Sequence, residues 1–111
     1  MQCVHIGLKA QGMGLTRSAP SLASGAVERV VFDVELSEEW EGFDYYAVIV
    51  QRGDFAQPCG IDGGRAVMDA RAVEVPCTVA ACVVAWSGIG EGLELMRTEQ
   101  VYIEFEESGI R

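Results

Sequence analysis

No stretch of this 111-residue chain approaches the ~20 consecutive apolar residues that a membrane-spanning helix needs. Residues 1–25 lack a charged leader followed by a solid apolar block, because Gly, Lys, Gln, Thr and Arg interrupt it, so no secretory signal is expected. Cations are scarce and dispersed. Lys9, Arg17, Arg29, Arg52, Arg65, Arg71, Arg97 and Arg111 stand singly against 17 acidic residues, leaving a formal charge of −9. A phosphate-binding surface needs clustered cations, so neither nucleic acid nor an anionic membrane is an expected partner. Metal-ligand spacing is missing as well. The cysteines Cys3, Cys59, Cys77 and Cys82 form no Cys-x-x-Cys pair, and the one histidine, His5, lies far from three of them. Without a secretory signal they read as four buried thiols in a reducing compartment, a Cys77–Cys82 disulfide being the alternative left open. No metal and no cofactor is expected.

Signatures of catalysis are equally sparse. There is no G-x-S-x-G, no Cys–His signature around His5 and no G-K-[ST]. Gly88, Gly90 and Gly92 follow an apolar segment, but their spacing is G-x-G-x-G rather than G-x-G-x-x-G. No strong helix pattern follows to offer its N-terminus to a pyrophosphate, so a hairpin loop is the simpler reading. The carboxylates Glu38, Glu39, Glu41 and Asp44 lack the alternation of acids and glycine that builds a calcium loop. They read as a solvated turn, and no enzymatic activity is expected.

What the chain does have is hydrophobicity in half of its residues. That is enough for one domain, residues 1–111, with a real core. The arrangement of that hydrophobicity is the strongest signal. In "VVFDVEL" (30–36), Val30, Phe32, Val34 and Leu36 alternate with Val31, Asp33 and Glu35. In "VYIEFEE" (101–107), Val101, Ile103 and Phe105 alternate with Tyr102, Glu104 and Glu106. A strand puts each set on one face, whereas a helix would scatter the acids around its circumference. The first set of each segment is expected in the core, each side chain contributing about 1.5–3 kcal/mol when fully buried. Further strands are expected at "YYAVIVQ" (45–51), near Arg65–Met68, at "AVEV" (72–75) and at "CVVAWS" (82–87). Turn chemistry bounds them at Arg52-Gly53-Asp54, Asp62-Gly63-Gly64, Pro76 and Ser87 to Gly92. "CVHIGL" (3–8) reads as an edge strand, residues 11–25 as a loop holding one more short strand, and "GLELMRTEQ" (92–100) as the second arm of a hairpin. Helical periodicity is missing throughout. The expected fold is all-β: a two-layer antiparallel sandwich, immunoglobulin-like or jelly-roll-like, of roughly seven to nine strands.

"YYAVIV" and "CVVAW" are apolar on both faces, unlike the one-wet, one-dry strand of an isolated sandwich. Either loops cover these strands or their outer face meets another subunit. Tyr46, Val48, Trp86 and Tyr102 are the residues expected on an interface or ligand face. Three of them, Tyr46, Trp86 and Tyr102, are aromatic, and a carbohydrate-binding sandwich is therefore the second functional reading.

The segment "VVFDVELSEEWEGFDYYAVIV" resembles one shared by small β-sandwich domains of bacteriophage and prophage tail, baseplate or fibre-associated structural proteins. The matching positions are Phe32, Leu36, Ser37, Trp40, Gly42, Phe43, Ala47 and Val48. Val75-Pro76 and "CVVAWSGIGEG" are similar to later elements of the same domains, so the resemblance covers residues 26 to 106, with 1–25 outside it. Tyr45-Tyr46 stand where those domains often carry lysine and threonine, and Ile49 where they often carry phenylalanine. The resemblance implies a non-enzymatic structural module in a virion or in the cytoplasm of a bacterium carrying a prophage. It would contact copies of itself or neighbouring tail proteins. On physical grounds, "LSEEWEGF" reads as a corner of the sandwich: glutamates keep the turn in water, Gly42 permits the backbone, and Trp40 with Phe43 closes the end of the core.

Overall fold

The alternating residues of 30–36 and 101–106 bury as the period of two requires. In a computed structural model describing residues 3–18, 29–69, 77–88, 94–106 and 109–110, Val30 and Phe32 are fully buried. Ile103 and Phe105 join them in one core, with Val34, Leu36 and Val101 half-buried against it. Ten strands are described: β1 (Cys3–Gln11), β2 (Gly14–Arg17), β3 (Arg29–Leu36), β4 (Tyr45–Arg52), β5 (Phe55–Gly60), β6 (Arg65–Asp69), β7 (Cys77–Ser87), β8 (Glu94–Arg97), β9 (Val101–Glu106) and β10 (Gly109–Ile110). One short 3-10 turn, Glu38–Trp40, interrupts the all-β order.

The strands form two layers packed face to face. A four-stranded sheet runs β2-β1-β3-β6, and a six-stranded sheet runs β10-β9-β7-β4-β5 with β8 also on β7. Their inner faces supply the core. Val4, Ile6, Leu8, Val30, Phe32 and Met68 come from the first sheet, and Val48, Val50, Val79, Val83 and Ile103 from the second. Every described strand pairing is antiparallel except β1 with β3, which is parallel from Cys3↔Arg29 to Ala10↔Leu36. A parallel pair needs a crossover rather than a hairpin, and here β2 occupies part of that connection.

That same hairpin amends the reading of residues 3–8 as an edge strand at its C-terminal end. β1 lies inside its sheet from Leu8 to Gln11, because the chain reverses at Gly12–Met13 and β2 takes the rim there, pairing Gln11↔Gly14 to Leu8↔Arg17. The expected turn at Asp62-Gly63-Gly64 carries the chain from one layer to the other. Gly63 and Gly64 both have positive φ, 59° and 78°, closing an Asp62↔Arg65 bridge of the primed type that glycine favours. The Gly64 carbonyl then accepts the Val34 N–H at 2.8 Å, tying the turn to β3.

β8 and β9 form one broken strand along β7. Pairing runs Ser87↔Glu94 to Val84↔Arg97, then resumes at Ala81↔Val101, so Cys82 and Val83 oppose the three residues Thr98 to Gln100. This is a bulge with one extra residue. Thr98, the one buried polar side chain among the described residues, satisfies it: its hydroxyl accepts the Val83 N–H at 2.9 Å and donates to the Glu99 carbonyl at 2.8 Å. The segment 92–100 thus contains a hairpin arm as expected, its strand running from Glu94 to Arg97. The strand expected at 72–75, Pro76, Gly90 and Gly92 fall outside the described residues.

Candidate functional site

Two places gather the residues singled out in the sequence: the corner after β3 and the outer face of the six-stranded sheet. The corner begins where Leu36 ends β3 and the Ser37 N–H donates to the Ala10 carbonyl at 3.0 Å. One turn of 3-10 helix then drives Trp40 into the core, where 1 % of it stays accessible. A buried indole needs an acceptor, and Trp40 Nε1–H donates to the Gly12 carbonyl at 3.0 Å. Glu39 Oε1 accepts the Gly12 N–H beside it. Its own backbone N–H and the Gly12 N–H hold the Glu39 carboxyl below its ordinary range. The corner therefore grips the β1–β2 turn from both sides.

Gly42 has a φ of 91° with nothing within 4 Å of where a Cβ would stand, so glycine is needed for backbone conformation and not for space. Phe43 packs edge-on against Tyr46, ring centroids 6.3 Å apart. The Tyr46 hydroxyl donates to the Trp40 carbonyl at 2.6 Å and accepts the Phe43 N–H at 3.3 Å. Trp40, Gly42 and Phe43 form a structural corner as the sequence implies, and Tyr46 is its fourth member. Of the neighbouring acids, Glu38 and Glu41 are exposed, and the Asp44 N–H donates to Ser87 Oγ at 2.9 Å. Among the described residues no three His, Cys, Asp or Glu side chains converge as metal ligands would.

This placement corrects the reading of Tyr46 and Val48 as an outer face. Tyr46 pairs with Ala85 and Val48 with Val83, and all four face the core. The outward row of β4 is the other parity: Tyr45, Ala47, Ile49 and Gln51, paired with Trp86, Val84, Cys82 and Ala80. Trp86 and Tyr102 do lie on the outer face. Leu95 pairs with Trp86 and Tyr102 with Ala80, extending it onto β8 and β9. Tyr45 and Trp86 stack with centroids 5.5 Å apart and planes inclined by 22°. Tyr45, Leu95 and Tyr102 are 58 %, 61 % and 58 % exposed, whereas Ala47, Cys82 and Val84 at the centre of the face are buried. The sequence reading missed Tyr45 and Leu95. Strict alternation from the buried Val48 would have found Tyr45, whereas Leu95 depended on the register of β8.

Beside Tyr102 the face carries a shallow depression of about 250 Å³, lined by Gln51, Gly53, Thr78, Ala80, Gln100 and Tyr102. The Gln100 amide donates to Gln51 Oε1 across it at 3.5 Å.

The opposite exterior, that of the four-stranded sheet, is charged. Asp33 joins His5 Nδ1 and Arg65 Nε, each at 3.1 Å, and Lys9 reaches Glu35 at 3.9 Å. His5 is a surface residue there.

Cys59, Cys77 and Cys82 are free thiols, Cys59 and Cys82 buried and Cys77 half-buried. The open alternative of a Cys77–Cys82 disulfide is removed by geometry. Both lie on β7, five positions apart and on opposite faces, roughly 16 Å of extended chain, where a disulfide needs Cα atoms within about 7 Å. Burial pushes the Cys59 thiol up, which keeps it protonated and unreactive. No helix among the described residues is long and apolar enough to cross a membrane. Comparison of the chain with family models, with curated proteins and with solved structures gives no match.

Proposed function

We propose that this protein is a non-enzymatic assembly module that works through protein–protein contact on the outer face of its six-stranded sheet. The observation that carries the reading is the chemistry of that face. Tyr45, Leu95 and Tyr102 stand exposed there beside half-buried Trp86, in a chain whose other sheet is covered by charges. Large apolar side chains exposed together on one face mark interaction sites. Its large aromatics are the side chains that dominate contact energies. The resemblance of residues 26–106 to phage and prophage tail-associated domains points the same way, toward a passive scaffold among virion proteins.

The test uses the purified chain and the structural proteins encoded beside its gene. Binding measured by calorimetry should be lost in Leu95→Glu and retained in Val67→Glu, which changes the other sheet's exterior. Binding that survives Leu95→Glu and fails in Val67→Glu overturns the assignment of the face.

A second reading, a carbohydrate-binding module, rests on the depression beside Tyr102. An aromatic ring flanked by Gln51, Gln100 and Thr78 pairs a stacking surface with neutral hydrogen-bonding groups, the combination a sugar ring needs. A glycan array and tryptophan fluorescence quenching separate the two readings, since Trp86 lies on the same face.

A further inference from the structure

We infer that Pro58 closes the free edge of the six-stranded sheet to strand addition, so that copies of this chain do not lengthen that sheet edge to edge. The inference stands apart from the contact reading above, which concerns a face and not an edge.

β5 is the last strand of its sheet, and among the described residues no strand pairs with its far side. Ala56, Gln57, Pro58 and Gly60 are exposed, and nothing lies within 4 Å of where a Cβ would stand on Gly60. An open edge of this kind offers its backbone to any extended segment, and charged side chains are one common guard. β6, at the edge of the other sheet, begins with Arg65 and ends with Asp69. Between Asp54 and Asp62 the chain carries no charged side chain, so β5 lacks that guard.

Register shows which backbone groups of β5 face outward. The Ile61 N–H donates to the Tyr46 carbonyl at 3.0 Å, and the next pair along is Ala47↔Gly60. Antiparallel pairs alternate between bonded and non-bonded. Val48↔Cys59 and Val50↔Gln57 are therefore bonded, whereas Ala56, Pro58 and Gly60 turn their backbone groups away from β4. Pro58 is the middle of these three and has no N–H. An incoming strand would meet donors at Ala56 and Gly60, and between them a ring facing one of its carbonyls. That carbonyl would lose water without gaining a partner, the costly case for a polar group. The same proline removes no bond between β5 and β4, which is where a sheet tolerates one.

The test compares the native chain with two variants, each checked for folding by circular dichroism. Pro58→Thr restores the outward donor, whereas Gln57→Thr adds a strand-favouring residue whose N–H already bonds to β4. Sedimentation equilibrium with reductant present, from about 1 to 500 μM, covers the affinity range of weak association. Pro58→Thr should associate about tenfold or more tightly than the native chain, and Gln57→Thr should match the native chain. Amide hydrogen exchange at Ala56 and Gly60 should be fast in the native chain and should slow with rising concentration in Pro58→Thr. A Pro58→Thr chain that associates no more than the native one overturns the inference. So does association that leaves Ala56 and Gly60 unprotected, or equal association by Gln57→Thr. Native amides already protected at Ala56 and Gly60 overturn it as well, because the edge would then be covered.

Discussion

The two sheets share one core yet differ on the side that faces away from it. On the four-stranded sheet, Asp33, His5, Arg65, Lys9 and Glu35 pair across strands, and exposed Val67 stands opposite half-buried Val31. On the six-stranded sheet, tyrosine, tryptophan, leucine and isoleucine occupy the equivalent positions. The core requires only the inner parity of each strand. The outer parity is free of that requirement, so its chemistry can differ between the sheets: charged pairs on one, aromatic and aliphatic side chains on the other.

Removing the corner that joins the two sheets should have the largest effect. Trp40→Ala should cost about 3–5 kcal/mol, the usual range for a large core truncation, out of the roughly 5–15 kcal/mol that holds a domain together. Chemical denaturation would measure it, and an unchanged midpoint would end the corner's structural role. Thr98→Val acts within the six-stranded sheet alone. It leaves the Val83 N–H without its acceptor in a buried setting, and a loss of about 1–3 kcal/mol is expected.

The outer faces can then be compared directly. Asp33→Asn breaks the pairs to His5 and Arg65, but these groups are substantially exposed, so the loss should stay within about 1 kcal/mol and shrink further in high salt. Leu95→Ser should leave the melting temperature of a dilute sample unchanged. It should also abolish any rise of melting temperature caused by a bound protein partner, because binding stabilises only the folded state. A partner-induced rise that persists in Leu95→Ser would place the contact elsewhere.

The smallest effect concerns pH. Glu39 is held below the ordinary carboxylate range by backbone N–H groups, that of Gly12 reaching it only in the folded chain. A carboxyl with a depressed folded value stabilises fully above its unfolded value and loses that contribution as pH falls through the folded one. Denaturation midpoints of the native chain and Glu39→Gln should therefore differ most above about pH 4.5 and converge in more acidic buffer.

Alternation alone made β3 and β9 legible, because Asp33, Glu35 and Glu104 mark the wet face by their charge. β4 and β7 carry no such marks. Both of their parities are apolar, and the choice of Tyr46 and Val48 as outward residues went against the true parity for that reason. Tyr46 turns inward because its hydroxyl has a partner there, the Trp40 carbonyl six residues before it, and no local pattern announces that bond. The corner was readable because glutamate, tryptophan and glycine each have a distinct physical need within eight residues.

Local chemistry by itself determined that this protein is built of strands, which residues of β3 and β9 enter the core, and where the chain turns at Gly42 and Gly63-Gly64. These follow from side-chain polarity at a period of two and from backbone freedom at glycine. Only the tertiary structure decided that β1 lies inside its sheet from Leu8 to Gln11 and parallel to β3, that a bulge at Thr98 shifts β9 by one position, and that Tyr45, Trp86, Leu95 and Tyr102 share one face. Those are matters of register between segments distant along the chain, and register is settled by which pairings bury the whole core at once.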